Sequence, residues 1–215
     1  MVKTSLLLEF LLTLPVLVAS LVVHELAHGA AAAALGDPTA RRLGRLSLNP
    51  LVHLDTWGSA MLVLSFLASG GSFFFGWAKP VPITPALLRA PRRDMMLVGV
   101  AGPLANYALA CTAAAAIWVV RGTSAFVVDA LTLAFVLNVV LGTLNLIPLP
   151  PLDGSRVVGG LLPLRLYRHW LRLDRYSAYM LPVVLVVMVA EPAVFSRTVG
   201  AALDWAATVL LPGRY

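Results

Sequence analysis

Long apolar runs, separated by short polar clusters, dominate this chain. Residues 5–35 are apolar almost throughout, broken mainly by Glu9 and Thr13, and stop at Gly36-Asp37-Pro38. About 20 mostly apolar residues suffice for a membrane-spanning helix, so this run predicts one. A cleaved secretory signal is excluded by length, since its apolar core runs only about 7–15 residues. Residues 94–120 predict a second span, entered after Pro91-Arg92-Arg93. Residues 125–147 predict a third, ended by Pro148, and residues 176–195 a fourth, with Pro182 as kink and Pro192 as stop. Residues 198–211 are apolar but short, so they tilt, re-enter or lie at the interface.

Residues 57–77 are long enough to span, but Ser69-Gly70-Gly71-Ser72 interrupts them. The stretch Phe73–Pro82 reads as extended, because Pro80 and Pro82 cannot both sit inside a regular helix. Positive charge arbitrates. If 57–77 spans, Arg41, Arg42 and Arg45 lie opposite Lys79, Arg89, Arg92 and Arg93. If it dips in and returns, both clusters share a side with Arg156, Arg165, Arg168, Arg172 and Arg175, leaving Lys3, Arg121 and Arg197 opposite. The positive-inside rule prefers the second arrangement. The expectation is a re-entrant element, arginine-rich loops in the cytoplasm and the N-terminus outside. Irregular backbone at membrane depth survives only where it is buried in protein or lines a wet cavity, so this element is an expected wall of an active site.

Composition agrees. Of 215 residues, 60% are hydrophobic and 12% charged, against about 45–50% and about 25% in soluble domains. The fold class expected is an all-α polytopic membrane protein with about five to six membrane segments. A net charge of +6 would suggest nucleic acid in a soluble protein. Here the arginines sit between apolar runs and no basic helix face with stacking aromatics is evident, so no nucleic-acid partner is expected. The single cysteine, Cys111, excludes an internal disulfide and reads as a packing residue. Trp57, Trp77 and Trp118 read as interfacial anchors.

The chemistry starts at His24-Glu25-Leu26-Ala27-His28. Positions i and i+4 share a helix face, so His24 and His28 can present two imidazoles to one metal, with Glu25 as general base for a water. Ionisable groups within a membrane helix are costly and functional by default. A catalytic zinc site takes three protein ligands. His169 lies in the arginine-rich loop, which leaves His53 and the acids as the third. Asp153 stands apart, following Leu146-Ile147-Pro148-Leu149-Pro150-Pro151-Leu152, where an irregular backbone can aim its carboxylate. Read alone, Asp153 serves equally well as the N-cap of a following helix.

These pieces, with Ala101-Gly102-Pro103-Leu104-Ala105-Asn106 and Asn145-Leu146-Ile147-Pro148 in their order and spacing, resemble the site-2 protease family of intramembrane zinc metalloproteases. Asn49-Pro50-Leu51-Val52-His53-Leu54-Asp55 and Phe75–Pro82 resemble its smaller bacterial members without a PDZ domain. The resemblance covers about residues 15–165. It implies that Asp153 is the third ligand of one zinc ion, and that the substrates are membrane-spanning regulatory proteins. It also implies a multi-pass protein of the bacterial inner (cytoplasmic) membrane. Residues 1–215 then form one transmembrane protease domain, with a catalytic core over about 5–165 and C-terminal membrane segments over about 176–211. Relatives often carry PDZ or CBS domains; none is expected here, so gating would fall to an unidentified adaptor.

Asn106 and Asn145 read either as substrate or oxyanion contacts or as helix–helix hydrogen bonders. His53 reads as an assistant to the site or as a structural hydrogen bonder. Phe75 and Trp77 lie on the stretch expected to pair with an unwound substrate as an added strand, mainly over residues 74–79. Three rivals are weaker. A membrane zincin with a glutamate on a later helix offers only Glu191, beside Pro192. A non-catalytic metal binder does not need Glu25. A metal transporter wants a chain of ligands across the bilayer, which is missing.

Overall fold

The structure, a computed structural model, describes residues 6–70, 75–177, 180, 193 and 196–211. In chain order the helices are α1 (Leu6–Ala34), α2 (Thr39–Arg42), α3 (Thr56–Ala68), α4 (Pro91–Val120), α5 (Ala125–Asn145), α6 (Gly154–Leu161), α7 (Leu164–Trp170) and α8 (Ala201–Leu210). A 3-10 segment, Leu171–Tyr176, continues α7, and a π-helical turn, Ser196–Gly200, leads into α8. The predicted fourth span, residues 176–195, falls largely outside the described residues, as does Glu191.

Among the described residues α1, α4 and α5 are long and apolar enough to cross a membrane. They match the three runs read from the pattern. α4 starts earlier than predicted, because Pro91 occupies the first helical turn, where its missing N–H costs nothing. The chain is thus an integral membrane protein built of helices. Lipid is as apolar as a protein core, so close packing and hydrogen bonds, rather than exclusion of water, hold spanning helices together. The core reflects this: Ala110, Ala113 and Ala114 of α4 meet Phe135 and Val139 of α5 and Ala206 and Ala207 of α8. Small side chains let the backbones approach. Cys111 departs from expectation and lies on the exposed side of α4.

α3 has 13 residues, about 20 Å of rise, against a hydrocarbon core of about 30 Å. Asp55 caps it through Gly58 N at 2.8 Å, and the left-handed Gly70 ends it. Beyond the undescribed residues 71–74, an extended stretch runs back along α3. Phe75 N donates to Ser65 Oγ at 2.8 Å, and Ala78 forms an antiparallel bridge with Leu54, the residue before the α3 cap. The start of α3 and the end of the returning stretch therefore lie side by side. The close approach requires glycine: a Cβ on Gly58 would sit 2.0 Å from Trp77 O.

The stretch continues past the bridge with its donors tied at intervals. Lys79 N donates to His53 O at 2.7 Å, Val81 N to Glu25 Oε2 at 2.8 Å and Thr84 N to Asp37 Oδ2 at 2.6 Å. Asp37 itself closes the end of α1. Gly36, at φ 115°, turns the chain, while Asp37 N donates to Ala32 O at 2.9 Å and Gly36 N to Ala33 O at 3.3 Å. This is the paired bonding of a Schellman cap.

Candidate metal centre

α1 carries His24 and His28 one turn apart on its inner side, both buried. α4 packs against that face through Gly102. A Cβ there would lie 2.4 Å from His28 Nε2 and 2.6 Å from His24 Cε1, so only glycine leaves room for the imidazoles. Four residues along, Asn106 is fully buried and accepts from His24 Nδ1 through Oδ1 at 2.6 Å. Its orientation follows from a relay. Asn106 Nδ2 donates to Asn138 Oδ1 at 2.8 Å, Asn138 Nδ2 to Ser20 Oγ at 2.9 Å, and Ser20 Oγ to Val16 O at 2.8 Å. His28 Nδ1 donates to Val98 O at 2.7 Å. Both imidazoles thus carry their proton on Nδ1 and turn a bare Nε2 lone pair inward.

The third donor arrives from the loop after α5. Gly154 lets that loop fold back on itself, since a Cβ there would meet Leu146 O at 2.2 Å. Asp153 occupies the N-cap position of α6, yet its side chain caps nothing. Its Oδ2 lies 3.1 Å from His24 Nε2 and 3.2 Å from His28 Nε2, and the two Nε2 atoms are 3.0 Å apart. Asp153 Oδ2 is buried and has no hydrogen-bond donor.

Three lone-pair atoms converging without a proton among them repel one another, and a cation between them removes the conflict. Zinc takes imidazole nitrogen at about 2.0–2.1 Å and carboxylate oxygen at about 2.0–2.2 Å in a tetrahedron, which sets neighbouring donors about 3.3 Å apart. The triangle of 3.0–3.2 Å is within a few tenths of an ångström of that. Two neutral imidazoles and a carboxylate are also a donor set zinc accepts. These residues fit the metal.

The three donors open on a cavity of about 610 Å³, shared with Glu25, Pro80, Val81 and Asn145. Glu25 lines the cavity, with its Oε2 accepting from Val81 N. Asn145 turns its amide nitrogen to Leu141 O at 2.9 Å. Asn106 sits behind His24, hydrogen-bonded to its Nδ1, and does not line the cavity. Phe75 and Trp77 do not line the cavity; the extended residues that do are Pro80, Val81, Ile83 and Pro85. His53 is buried elsewhere, with Nε2 on Ser47 O at 2.8 Å. The sequence reading overlooked Asn138, Ser20 and the backbone of Val81. A lone Asn in the apolar run of α5 was the available signal for the first; backbone donors leave none.

The sequence model of peptidase family M50 matches residues 12–127 and 117–190. A relative from Bacillus subtilis (strain 168), YwhC, which carries the name of a zinc metalloprotease, is 37% identical over 155 residues, 68% of this chain and 67% of its own. No solved structure matches the chain significantly.

Proposed function

The chain belongs to peptidase family M50, the site-2 protease family of zinc-dependent metallopeptidases, and on that footing we propose that His24, His28 and Asp153 hold one zinc ion while Glu25 acts as general base. The observation that carries this reading is the convergence of two Nε2 lone pairs and an unpartnered carboxylate oxygen within 3.2 Å. Zinc, when bound, supplies a Lewis acid that polarises the scissile carbonyl and lowers the pKa of water to about 7. The rest is the work of the chain. Asn106 and the Val98 carbonyl fix both imidazoles in the tautomer that offers Nε2. Val81 N holds one carboxylate oxygen of Glu25. The other oxygen takes a proton from the attacking water and delivers it to the leaving amine.

The substrates are peptide bonds within or near membrane-spanning segments of regulatory proteins. A helix hides its carbonyls in its own hydrogen bonds, so the substrate unwinds locally before it is cut. Its freed backbone groups, each costing several kcal/mol in lipid if unsatisfied, pair with what the extended stretch offers beside the cavity, the carbonyls of Val81 and Pro82 and the N–H of Ile83, since Val81 N is held by Glu25 and the prolines have no donor. Support for a re-entrant α3 comes from its length and from the Leu54–Ala78 bridge, which returns the chain to its point of entry. Residues 1–215 act as one protease domain of the bacterial inner membrane, with the arginine-rich loops cytoplasmic and an adaptor protein selecting substrates.

Metal analysis of purified protein tests the site. About one zinc per chain is expected, as for a single three-ligand site, and Asp153→Ala lowers that content at least tenfold under chelator challenge. Undiminished zinc in the variant would remove Asp153 from the centre.

A further inference from the structure

α7 and its 3-10 continuation divide sharply into two faces. Tyr167, Trp170 and Asp174 point inward and line the catalytic cavity. They are docked: Trp170 Nε1 donates to Ser155 O at 2.8 Å, Asp174 pairs with Arg156 at 2.6 Å, and Arg92 sits over the Tyr167 ring at 5.7 Å. The outer face carries Arg165, Arg168, Arg172 and Arg175, all exposed. Counting 100° per residue through α7 and 120° through the 3-10 segment, these four fall within about 70–80° of arc. Among the described residues no carboxylate lies within ion-pair distance of any of them. Leu164 and Leu166, 56% and 55% exposed, flank the arginine row on its two edges.

Position says what meets this row. The cavity it walls lies where α1 ends, α4 begins and α5 gives way to the Asp153 loop. That is the end of the spanning helices, where the bundle leaves the apolar core. A cationic face with flanking leucines at that level matches an interfacial helix, whose apolar edge sinks below the headgroups while its charged side meets anionic lipid. Clusters of four to eight arginines or lysines on such a helix attract anionic lipid at about 1 kcal/mol each, roughly fivefold per residue.

We propose that the outer face of residues 164–176 is a seat for anionic phospholipid headgroups, so that the inner face, which walls the active-site cavity, is held in place by membrane charge. The lipid seat stands on the arrangement of this element and not on the metal chemistry.

The full chain is reconstituted in bilayers of equal parts phosphatidylcholine and phosphatidylglycerol, extracted in mild detergent, and its retained lipid quantified. Wild type should retain phosphatidylglycerol in preference, and raising salt should weaken that preference. The variant R165Q/R168Q/R172Q/R175Q should lose it by about fivefold or more. The corresponding all-lysine variant should keep it, which separates charge from folding. Equal retention of both lipids by wild type, or full preference in the glutamine variant, would overturn the proposal. So would loss of preference in the lysine variant, or wild type that binds an acidic peptide in place of the lipid. None of these readouts depends on cleavage or zinc content.

Discussion

The residue on which the geometry turns most quietly is Asn106. It lies in the apolar middle of α4, fully buried, and each of its polar atoms is committed: Oδ1 to His24 and Nδ2 to Asn138. Groups that orient a metal-binding histidine typically contribute 10–100-fold to metal affinity. Asn106→Ala is therefore expected to weaken zinc binding by about that factor, read by competition with a calibrated chelator, while the spanning helices stay assembled. Unchanged affinity would mean that His24 is oriented by something else. The sequence placed Asn106 near the chemistry but left two roles open, because a motif gives neighbours and not directions. Only the packing of α4 through Gly102 shows that the amide stands behind the imidazole. Asp153 gives the converse lesson. Its N-cap position on α6 was legible, and so was a capping role, yet the side chain turns away from the helix toward the imidazoles.

At the scale of elements, the stretch from Phe75 to Thr84 is held by donors tied to α3, to the loop before it, to α1 and to the turn after α1. Prolines at 80 and 82 spelled out its extended shape in the sequence, but not which of its residues reach the cavity. Its reach is set by anchors far away in the chain, Glu25 and Asp37, and local patterning cannot report those. Asp37 gives a pH test. Burial works to raise its carboxyl, but hydrogen bonds from Thr39 Oγ1, Thr84 N and Thr39 N outweigh it, so it sits below the ordinary carboxylate range. A carboxylate depressed in the folded state stabilises above its unfolded pKa, near 3.9, and that contribution fades as pH falls through the lower folded value. Asp37→Asn should cost about 1–3 kcal/mol at neutral pH, as for hydrogen bonds to a charged group. The difference from wild type should shrink below about pH 4 in thermal unfolding of detergent-solubilised protein. A gap that persists or widens in acid would contradict the assignment.

The same element carries the topology. Leu48, before α3, and Arg89, after the extended stretch, are both exposed. In a Cys111→Ala background, Leu48→Cys and Arg89→Cys should react with an impermeant thiol reagent from the same side of sealed vesicles. Labelling from opposite sides would make α3 a full crossing.

For the whole molecule, the three long apolar helices and the class of protein were plain from composition and run length, because the bilayer imposes both. The fine arrangement was not, since in lipid it rests on small residues and a few buried polar atoms rather than on a hydrophobic period. Those devices bring α1, α4 and the loop after α5 to one point, and the account stands or falls on what happens there. Its most direct test is cleavage of a single-span substrate in proteoliposomes by zinc-loaded Glu25→Gln beside wild type. The substitution keeps the side-chain shape and removes the base. Wild type should cut the substrate, and Glu25→Gln, with its zinc retained, should be slower by roughly 100-fold or more, the scale of a lost general base. Cleavage at the wild-type rate by the zinc-loaded variant would contradict the assignment of Glu25.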